Sequence, residues 1–123
     1  MAYIQKYSVS VTTAADGSAT AYSAVIPHGL IEHIRYIKTD FADGSTITFT
    51  VDGTGEAVWA ESSVNASATR APRQATHGAT GTALVYASTD AVADKIAVSA
   101  DRIKIVVASG GNAKTGTFHI YVS

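Results

Sequence analysis

Apolar and polar residues alternate along most of this chain, and Thr, Val, Ile and Tyr are concentrated where they do. Successive side chains of a β-strand point to opposite faces, so this alternation predicts half-buried antiparallel strands. The clearest case is the segment 46–51, where Ile47, Phe49 and Val51 alternate with threonines. The pattern therefore predicts an all-β fold, namely an antiparallel β-sandwich or a jelly-roll-like domain built from short strands.

Turn-forming residues separate the predicted strands. The segment 1–11 predicts a first strand, and the Asp-Gly turn at 15–18 leads into a second strand over 19–26. Because Asp-Gly tolerates the positive φ of a tight turn, these two strands are predicted to form a hairpin. A Gly-Gly-Asn turn likewise predicts a second hairpin between 102–108 and 116–122.

The segment 30–39 differs from the others because it is apolar on both faces. Simple alternation places Ile31 and Ile37 on one face and Ile34 and Tyr36 on the other. Antiparallel strands that are solvated on one side are apolar on one face only. The segment is therefore predicted to be a central strand, or one that is covered on both sides.

Three shorter segments complete the prediction. The run 57–60 is expected to pair back on the preceding strand and to bury Trp59, the single tryptophan. A short strand is predicted over 83–86, whereas 88–94 fits either a loop or one helical turn, and the sequence does not separate these two. Residues 1–123 are accordingly predicted to form one domain, which is a normal domain length.

The segment 62–83 interrupts the strand pattern with small residues and two arginines around a proline. Connections this long are uncommon in compact domains and are usually functional or disordered, so the segment is predicted to be an extended arm that contacts other subunits, with a flexible, solvated surface loop as the alternative. Pro72 favours an extended backbone around it, and guanidinium groups can pair with carboxylates of a neighbour. The predicted partner-binding residues are Arg70, Pro72, Arg73, Gln74 and His77.

Composition limits the classes of partner. The formal net charge is −1 and the sequence pI is about 6.4, so nothing favours nucleic acid or anionic lipid as a partner. Membrane-spanning and signal-peptide patterns are absent from the sequence, which leads us to expect synthesis in the cytosol. The chain has no cysteine, so disulfides, thiolate zinc sites and cysteine nucleophiles are excluded within it.

Motifs for catalysis are not found. The four histidines lack the spacing of a metalloprotease helix, and neighbours in a strand, such as Glu32 and His33, point to opposite faces. Acidic residues at 40, 43, 52 and 56 could bind calcium only if their loops converge at one end of the sandwich, and turn formation explains them better. No phosphate-binding loop or nucleophile elbow is present. We therefore expect no enzyme activity, no cofactor, no metal and no catalytic residue.

Three stretches carry a resemblance that covers nearly the whole chain. They are MAYIQKYSVSVTTAADGSATAY, ATRAPRQATHG and DRIKIVVASGGNAKTGTFHIYV, and they resemble a family of small virion proteins encoded among the head genes of tailed bacteriophages and prophages. The resemblance implies a capsid-associated protein of the virion, made in the host bacterial cytoplasm. It implies a decoration (cement) protein on the outer head surface, whose partners are the major capsid protein or other virion proteins, and which forms a homo-oligomer, with a trimer favoured.

Two alternatives stay open. A head–tail connector or another tail component of the same virion differs from a decoration protein in copy number and symmetry. A carbohydrate-binding β-sandwich module requires an exposed aromatic platform, for which the chain offers several side chains. These candidates are Tyr3, Tyr22, Tyr36, Tyr86, Tyr121 and Trp59. Because most of them alternate with apolar residues in strands, core or interface packing is their expected role.

Overall fold

The computed structural model of this chain describes residues 4–86 and 90–123. Thirteen β-strands make up the regular structure of this part of the chain, in which no helix occurs. In chain order they are β1 (Gln5–Thr12), β2 (Ala19–Tyr22), β3 (Ile26–Lys38), β4 (Ser45–Val51), β5 (Ala57–Val64), β6 (Ala68–Arg70), β7 (Arg73–Ala75), β8 (Val85–Tyr86), β9 (Asp90–Ala91), β10 (Ala93–Lys95), β11 (Ala97–Asp101), β12 (Ile103–Ala108) and β13 (Thr115–Val122).

Two antiparallel sheets pack as a sandwich, and one of them is curled like half of a barrel. The first sheet has the order β1-β13-β3-β11, and β6 pairs with the last part of β3. The second sheet has the order β2-β12-β4-β5. Two small two-stranded sheets, β7 with β10 and β8 with β9, lie outside these orders. The prediction of an all-β sandwich is confirmed.

The core lies between the two sheets and is formed by their inward-facing side chains. In β4 the predicted alternation is confirmed, since Ile47, Phe49 and Val51 are all buried. Aromatic rings fill the centre, where Phe118 stacks on Tyr36 at 5.0 Å and meets the edge of Phe49 at 5.2 Å. Because Phe118 belongs to the first sheet and Phe49 to the second, these rings join the two sheets.

Neither predicted hairpin forms. Strand β1 pairs with β13, and β2 pairs with β12 in the other sheet. The predicted Asp-Gly turn is present, with Gly17 at a φ of 85° and its N–H donating to the carbonyl of Ala14. However, this turn carries the chain from one sheet to the other. The turn between β12 and β13 does the same, because β12 pairs with β2 and β4 while β13 pairs with β1 and β3.

The two crossing turns pack against each other at one end of the sandwich. The Gly110 N–H donates to the carbonyl of Gly17 at 2.9 Å, and the Thr13 hydroxyl donates to the carbonyl of Gly111 at 2.6 Å. Thr13 is buried, and an added Cβ at Gly17 would lie 3.1 Å from the Gly111 nitrogen. The glycines therefore allow the backbones of the two turns to approach each other closely. Two separate hairpins would not require this contact.

Strand β3 contains a register shift that alternation did not predict. His33 is paired with Tyr121, but the next partner pair along β13 is Ile31 with Val122, so Glu32 is an extra residue. Such a bulge reverses the phase of the strand, and Ile31 is buried on the same side as Ile34. The prediction that Ile31 and Ile34 face opposite ways is therefore wrong. The prediction of a central strand is confirmed, since β3 is flanked by β13 on one side and by β11 and β6 on the other.

Among the shorter segments, the prediction for 57–60 is confirmed. Strand β5 pairs with β4, and Trp59 is buried against Phe49 with a ring separation of 5.3 Å. The strand over 83–86 corresponds to β8. In the segment 88–94, residues 90–91 and 93–94 belong to strands, so the predicted alternative of one helical turn is wrong. Residues 87–89, like Tyr3, lie outside the described residues.

Candidate functional site

Residues 73–95 leave the sandwich and return to it, and we call this segment the projection. Its stem consists of β7 and β10, in which Arg73 is paired with Lys95 and Ala75 with Ala93. None of the described side chains of the projection is buried. The projection therefore adds an ordered backbone to the protein without adding to its core.

Beyond the stem, the backbone branches at a three-way junction. The Thr76 N–H donates to the carbonyl of Val92 at 2.8 Å, the Val92 N–H to that of Leu84 at 3.0 Å, and the Leu84 N–H to that of Thr76 at 3.0 Å. Two small hairpins leave this ring of hydrogen bonds. One is closed by the bridge between His77 and Ala83, and the other is formed by β8 and β9. Hydrogen bonding of this kind holds the hairpins at a defined position.

The stem is fixed to the bulge of β3 by charged groups. The Arg73 Nη1 donates to the carbonyl of Glu32 at 3.1 Å and to that of Pro72 at 2.9 Å. The Lys95 Nζ lies 2.6 Å from the Glu32 carboxylate. Hydrogen bonds from Lys95 and then Ser123 hold the pKa of Glu32 below its ordinary value. The extra residue of β3 therefore serves as the attachment point of the projection.

Arg70 is held on the sandwich by a bidentate ion pair. Its Nε and Nη2 lie 2.7 and 2.9 Å from the two carboxylate oxygens of Glu61, which also accepts a hydrogen bond from the Trp59 indole. This pair joins β6 to β5, and thereby the two sheets. The hydrogen bond with Arg70 lowers the pKa of Glu61, and the bond with Glu61 raises the pKa of Arg70.

We expect Glu61→Gln to weaken the fold at neutral pH and to lose this effect in acid. A carboxylate whose pKa is lowered by folding stabilises the folded state above its ordinary value of 4.5, and this contribution is lost as the pH falls through the lower folded-state pKa. Both side chains are partly exposed, so we expect about 1 kcal/mol or less. The measurement is the free energy of unfolding in urea from pH 7 to pH 3.

Glu56→Gln is the matched control, because Glu56 is exposed and makes no ion pair with any residue the structure describes. Its stability is expected to follow that of the parent at every pH. If Glu61→Gln also followed the parent at pH 7, the ion pair between β5 and β6 would contribute nothing measurable.

The five residues predicted to bind partners therefore do not form one group but lie on different parts of the structure. Arg70 lies on the sandwich, and Pro72 lies between β6 and β7. Arg73 and Gln74 belong to the stem, and His77 lies beside the junction. Both arginines have partners within the chain, whereas Gln74 and His77 are exposed. Of the predicted arm over 62–83, the first part belongs to β5 and β6 of the sandwich, and the rest begins the projection.

Sequence reasoning missed three exposed apolar side chains, Leu84, Val85 and Val92, which lie at the junction and at the base of the hairpin formed by β8 and β9. Their exposed fractions are 44%, 51% and 36%. The sequence predicts a short strand over 83–86, and this prediction does not say whether Leu84 and Val85 are exposed. The available signal was that they are bulky residues in a run of small ones with no paired strand pattern beside them. The junction of the projection is thus more apolar than its stem.

The acidic residues considered for a calcium site do not converge in the structure. Asp43 lies before β4 and pairs with Lys38, whereas Asp52 lies after β4 and pairs with Arg102. They are at opposite ends of a strand, so convergence of the acidic loops is wrong. In the described ranges 4–86 and 90–123, no group of three potential ligand side chains could hold a metal ion.

The histidines and aromatic residues lie mainly on the sheet faces. His119 is on the outer face, as alternation predicted, and its Nδ1 lies 2.8 Å from the Ser8 hydroxyl. His33 stacks on Tyr121 at 4.3 Å. Of the platform candidates, Trp59 and Tyr36 are buried, and Tyr22 lies under the Arg102 guanidinium at 3.9 Å. Burial raises the pKa of Tyr36 to about 12. Among the platform candidates whose side chains the structure describes, the rings do not form a common exposed surface; Tyr3 and the side chain of Tyr86 lie outside that part of the chain.

A shallow cavity lies where β6 joins β3. Its volume is about 140 Å³, and Arg35, Tyr36, Ser67, Ala68 and Thr69 line it. Sites for small organic ligands usually measure about 300–1,000 Å³, so this cavity is small for a cofactor. Over the residues that the structure describes, no helix is long and apolar enough to cross a membrane.

No protein-family profile and no curated protein sequence match this chain. Solved structures with a similar fold include a chain of the disulfide-linked pili of Bacillus endospore appendages, with 21% identity, a TM-score of 0.43, and coverage of 98% of this chain and 84% of that one. A chain of infectious bursal disease virus (Gt strain) has 11% identity and a TM-score of 0.35, covering 98% of this chain and 32% of that one.

An exo-beta-1,3-galactanase from Phanerochaete chrysosporium has 15% identity and a TM-score of 0.32, covering 97% of this chain and 27% of the other. At these identities and TM-scores the similarities concern the all-β fold alone.

Proposed function

We propose that this chain is a non-enzymatic structural protein of a tailed-bacteriophage virion, and specifically a decoration protein that binds the outer surface of the head. The observation that carries the proposal is the projection, residues 73–95. Its backbone is hydrogen-bonded throughout the stem and junction, yet its described side chains are left out of the core. An ordered segment of this kind is suited to contacts with other molecules, and such contacts would stabilise the shell.

The proposed partners are the major capsid protein or other virion proteins, together with further copies of this chain, three in the favoured arrangement. A net charge of −1 suits dense packing on a shell, where strong like charge would repel neighbours. The proposed location is the virion, after synthesis in the cytoplasm of the host bacterium. Neither nucleic acid nor membrane is proposed as a partner.

Within this proposal, the five arm residues have two roles. Arg70 and Arg73 orient the projection through their contacts with Glu61 and with the carbonyl of Glu32. Pro72 keeps the chain extended between the sandwich and the stem. Gln74 and His77 are exposed beside the stem and the junction, where they can donate or accept hydrogen bonds with a neighbouring protein.

The experiment that tests the function is quantitative mass spectrometry of virus particles induced from the source strain. A copy number comparable with that of the major capsid protein is expected. On the order of ten copies, the count of a cyclic ring, would instead assign the chain to a head–tail connector or tail component. Absence from the particle would refute the virion proposal and favour a carbohydrate-binding module, for which glycan binding that is lost in Tyr22→Ala, at an exposed candidate for an aromatic platform, would be the next measurement.

A further inference from the structure

The outer face of the first sheet carries a group of polar and aromatic side chains that the core does not use. Alternation places them there, since the neighbouring residues Val9, Ile34 and Ile120 point inward and are buried. All members of the group are exposed or half-buried. We call this group the cationic face, and it consists of Lys6, Ser8, His33, Arg35, His119 and Tyr121.

Strand pairing brings these side chains into two adjacent rows, each of which runs across β1, β13 and β3. The first row contains Ser8, His119 and Arg35, and the second contains Lys6, Tyr121 and His33. Neighbouring strands are about 4.8 Å apart, and the two rows are separated by two residues along each strand, or about 7 Å. The side chains therefore form one continuous patch of about 10 by 7 Å.

The fixed charges of the cationic face are positive, although the whole chain has a net charge of −1. Of the ten acidic residues, none belongs to β1 or β13, and β3 contains only Glu32. The Glu32 carboxylate is already paired with Lys95 at 2.6 Å. Arg35 and Lys6, in contrast, make no ion pair with any residue that the structure describes. Their charges are therefore available to an external anion.

Most polar atoms of this face are likewise unused within the described part of the chain. His119 Nδ1 lies 2.8 Å from the Ser8 hydroxyl, which leaves the His119 Nε2 without a partner among the described residues. His33 stacks on Tyr121 with a ring separation of 4.3 Å. Neither the His33 nitrogens nor the Tyr121 hydroxyl has a hydrogen-bond partner in the ranges 4–86 and 90–123. These groups can donate or accept hydrogen bonds with a ligand.

The spacing of the two cations favours an anion whose charges are far apart. Arg35 and Lys6 lie in different rows and two strands apart, so their backbones are separated by about 12 Å. Double-stranded DNA carries a charge about every 1.7 Å along its axis, and its binding depends on neutralising several phosphates. Two separated cations on a chain of negative net charge suit a polymer with sparse carboxylates better, and a guanidinium can pair with a carboxylate through two hydrogen bonds.

The groups between the cations favour a sugar over a protein as the carrier of those carboxylates. His119 and Tyr121 of β13 separate Arg35 from Lys6. The stacked rings of Tyr121 and His33 offer apolar surface to the C–H groups of a sugar, and the phenol hydroxyl offers it a polar contact. A specific protein interface buries about 800 Å² on each partner, which is far more than this patch provides. A few sugar rings are of matching size.

We propose that the cationic face binds an acidic polysaccharide, that is, a chain of sugars that carry carboxylates. Arg35 pairs with one carboxylate and Lys6 with a second. Tyr121 packs against the intervening sugar ring, and His119 forms hydrogen bonds with its hydroxyls. This site is separate from the projection, and the inference does not depend on the proposed role in a virion.

The test is isothermal titration calorimetry of the purified full chain with oligogalacturonate and with alginate oligomers. We expect binding that weakens as the salt concentration rises, and no binding of oligogalacturonate whose carboxylates are methyl-esterified. Arg35→Gln is expected to raise the Kd about tenfold or more, because hydrogen bonds to charged groups are the stronger ones. Lys104→Gln is the matched control, since it removes one positive charge from the outer face of the other sheet, and it should bind as the parent does.

Tyr121→Ser tests the sugar contact separately from the charge, and it should also weaken binding of the acidic sugars. Failure to bind either acidic sugar, or an unchanged Kd in Arg35→Gln, would overturn the proposal. Equal affinity for poly-glutamate would show that charge alone is recognised, and tighter binding of oligothymidylate would assign the face to nucleic acid; both would also overturn it. Loss of sugar binding in Tyr22→Ala but not in Arg35→Gln would place the sugar on the other sheet. Binding of acidic sugars by a chain that is absent from virus particles would refute the proposed function alone.

Discussion

A variant in which Asn-Gly replaces residues 77–91 is expected to fold as the parent does but to lose most of its occupancy on the virus particle. The replacement is compatible with the structure because Thr76 and Val92 are joined by a backbone hydrogen bond at the end of the stem. Two residues can close that end as a tight hairpin, for which Asn-Gly is the preferred sequence. Every described residue from His77 to Val85 that has a side chain is exposed, so little packing is removed.

The expected loss is large because, in the proposed assembly, the projection links subunits. Linking several binding sites raises the overall affinity by about 10²–10⁴ over that of one site. A subunit without residues 77–91 loses this gain. We therefore expect the apparent affinity for particles that have been stripped of the protein to fall by about a hundredfold. The measurement is co-sedimentation of added protein with the particles, quantified over a range of free concentrations.

Thr80→Ala is the control for this experiment. Thr80 lies in the hairpin turn between His77 and Ala83, and its hydroxyl contacts only that of Thr82 among the described residues. We expect parental occupancy from Thr80→Ala. Parental occupancy from the shortened variant, with a normal unfolding transition, would show that the projection has no part in attachment.

Phe118→Ala is expected to destabilise the sandwich by about 3–5 kcal/mol, the usual cost of removing a large buried aromatic side chain. Phe118 has no exposed surface and lies between Tyr36 of its own sheet and Phe49 of the other. Removing its ring leaves a cavity at the place where the two sheets meet. Because domains of this size are stable by about 5–15 kcal/mol, the variant is expected to lose a large part of its stability and to unfold at a much lower urea concentration than the parent.

The measurement is unfolding in urea, followed by the fluorescence of Trp59, which is buried against Phe49. Phe118→Leu fills part of the cavity and should lose less stability. Thr117→Ala is the neighbouring control on the outer face of β13, and it should cost about 1 kcal/mol or less. Similar losses from Phe118→Ala and Thr117→Ala would contradict the position of the core between the sheets.

Alternation was sufficient to predict the class of fold and the inward faces of most strands. Ile47, Phe49 and Val51 are buried as predicted. This succeeds because the period of two is a property of each strand by itself, and an antiparallel sheet with one solvated face must place its apolar residues on the other. Asp-Gly sequences likewise located turns, since Gly17 and Gly44 have positive φ values.

Strand pairing was predicted wrongly in both hairpins. A turn sequence determines where the chain reverses, but the flanking strands gain most of their stability from cross-strand and inter-sheet packing with residues far away in the sequence. Here β1 pairs with β13, and β2 pairs with β12, so both turns became crossings between sheets. The bulge at Glu32 escaped prediction for the same reason, because it is visible only when β13 is laid beside β3.

The sequence by itself determined that this protein is built from half-buried strands, where its turns lie, and that small residues interrupt the strand pattern within 62–83, because each of these depends on neighbouring residues only. The tertiary structure alone decided that Arg70 and Arg73 are held within the chain and that Leu84, Val85 and Val92 are exposed at and beside the junction of the projection. Those outcomes depend on which distant strands pair and pack, and local sequence carries no record of that choice.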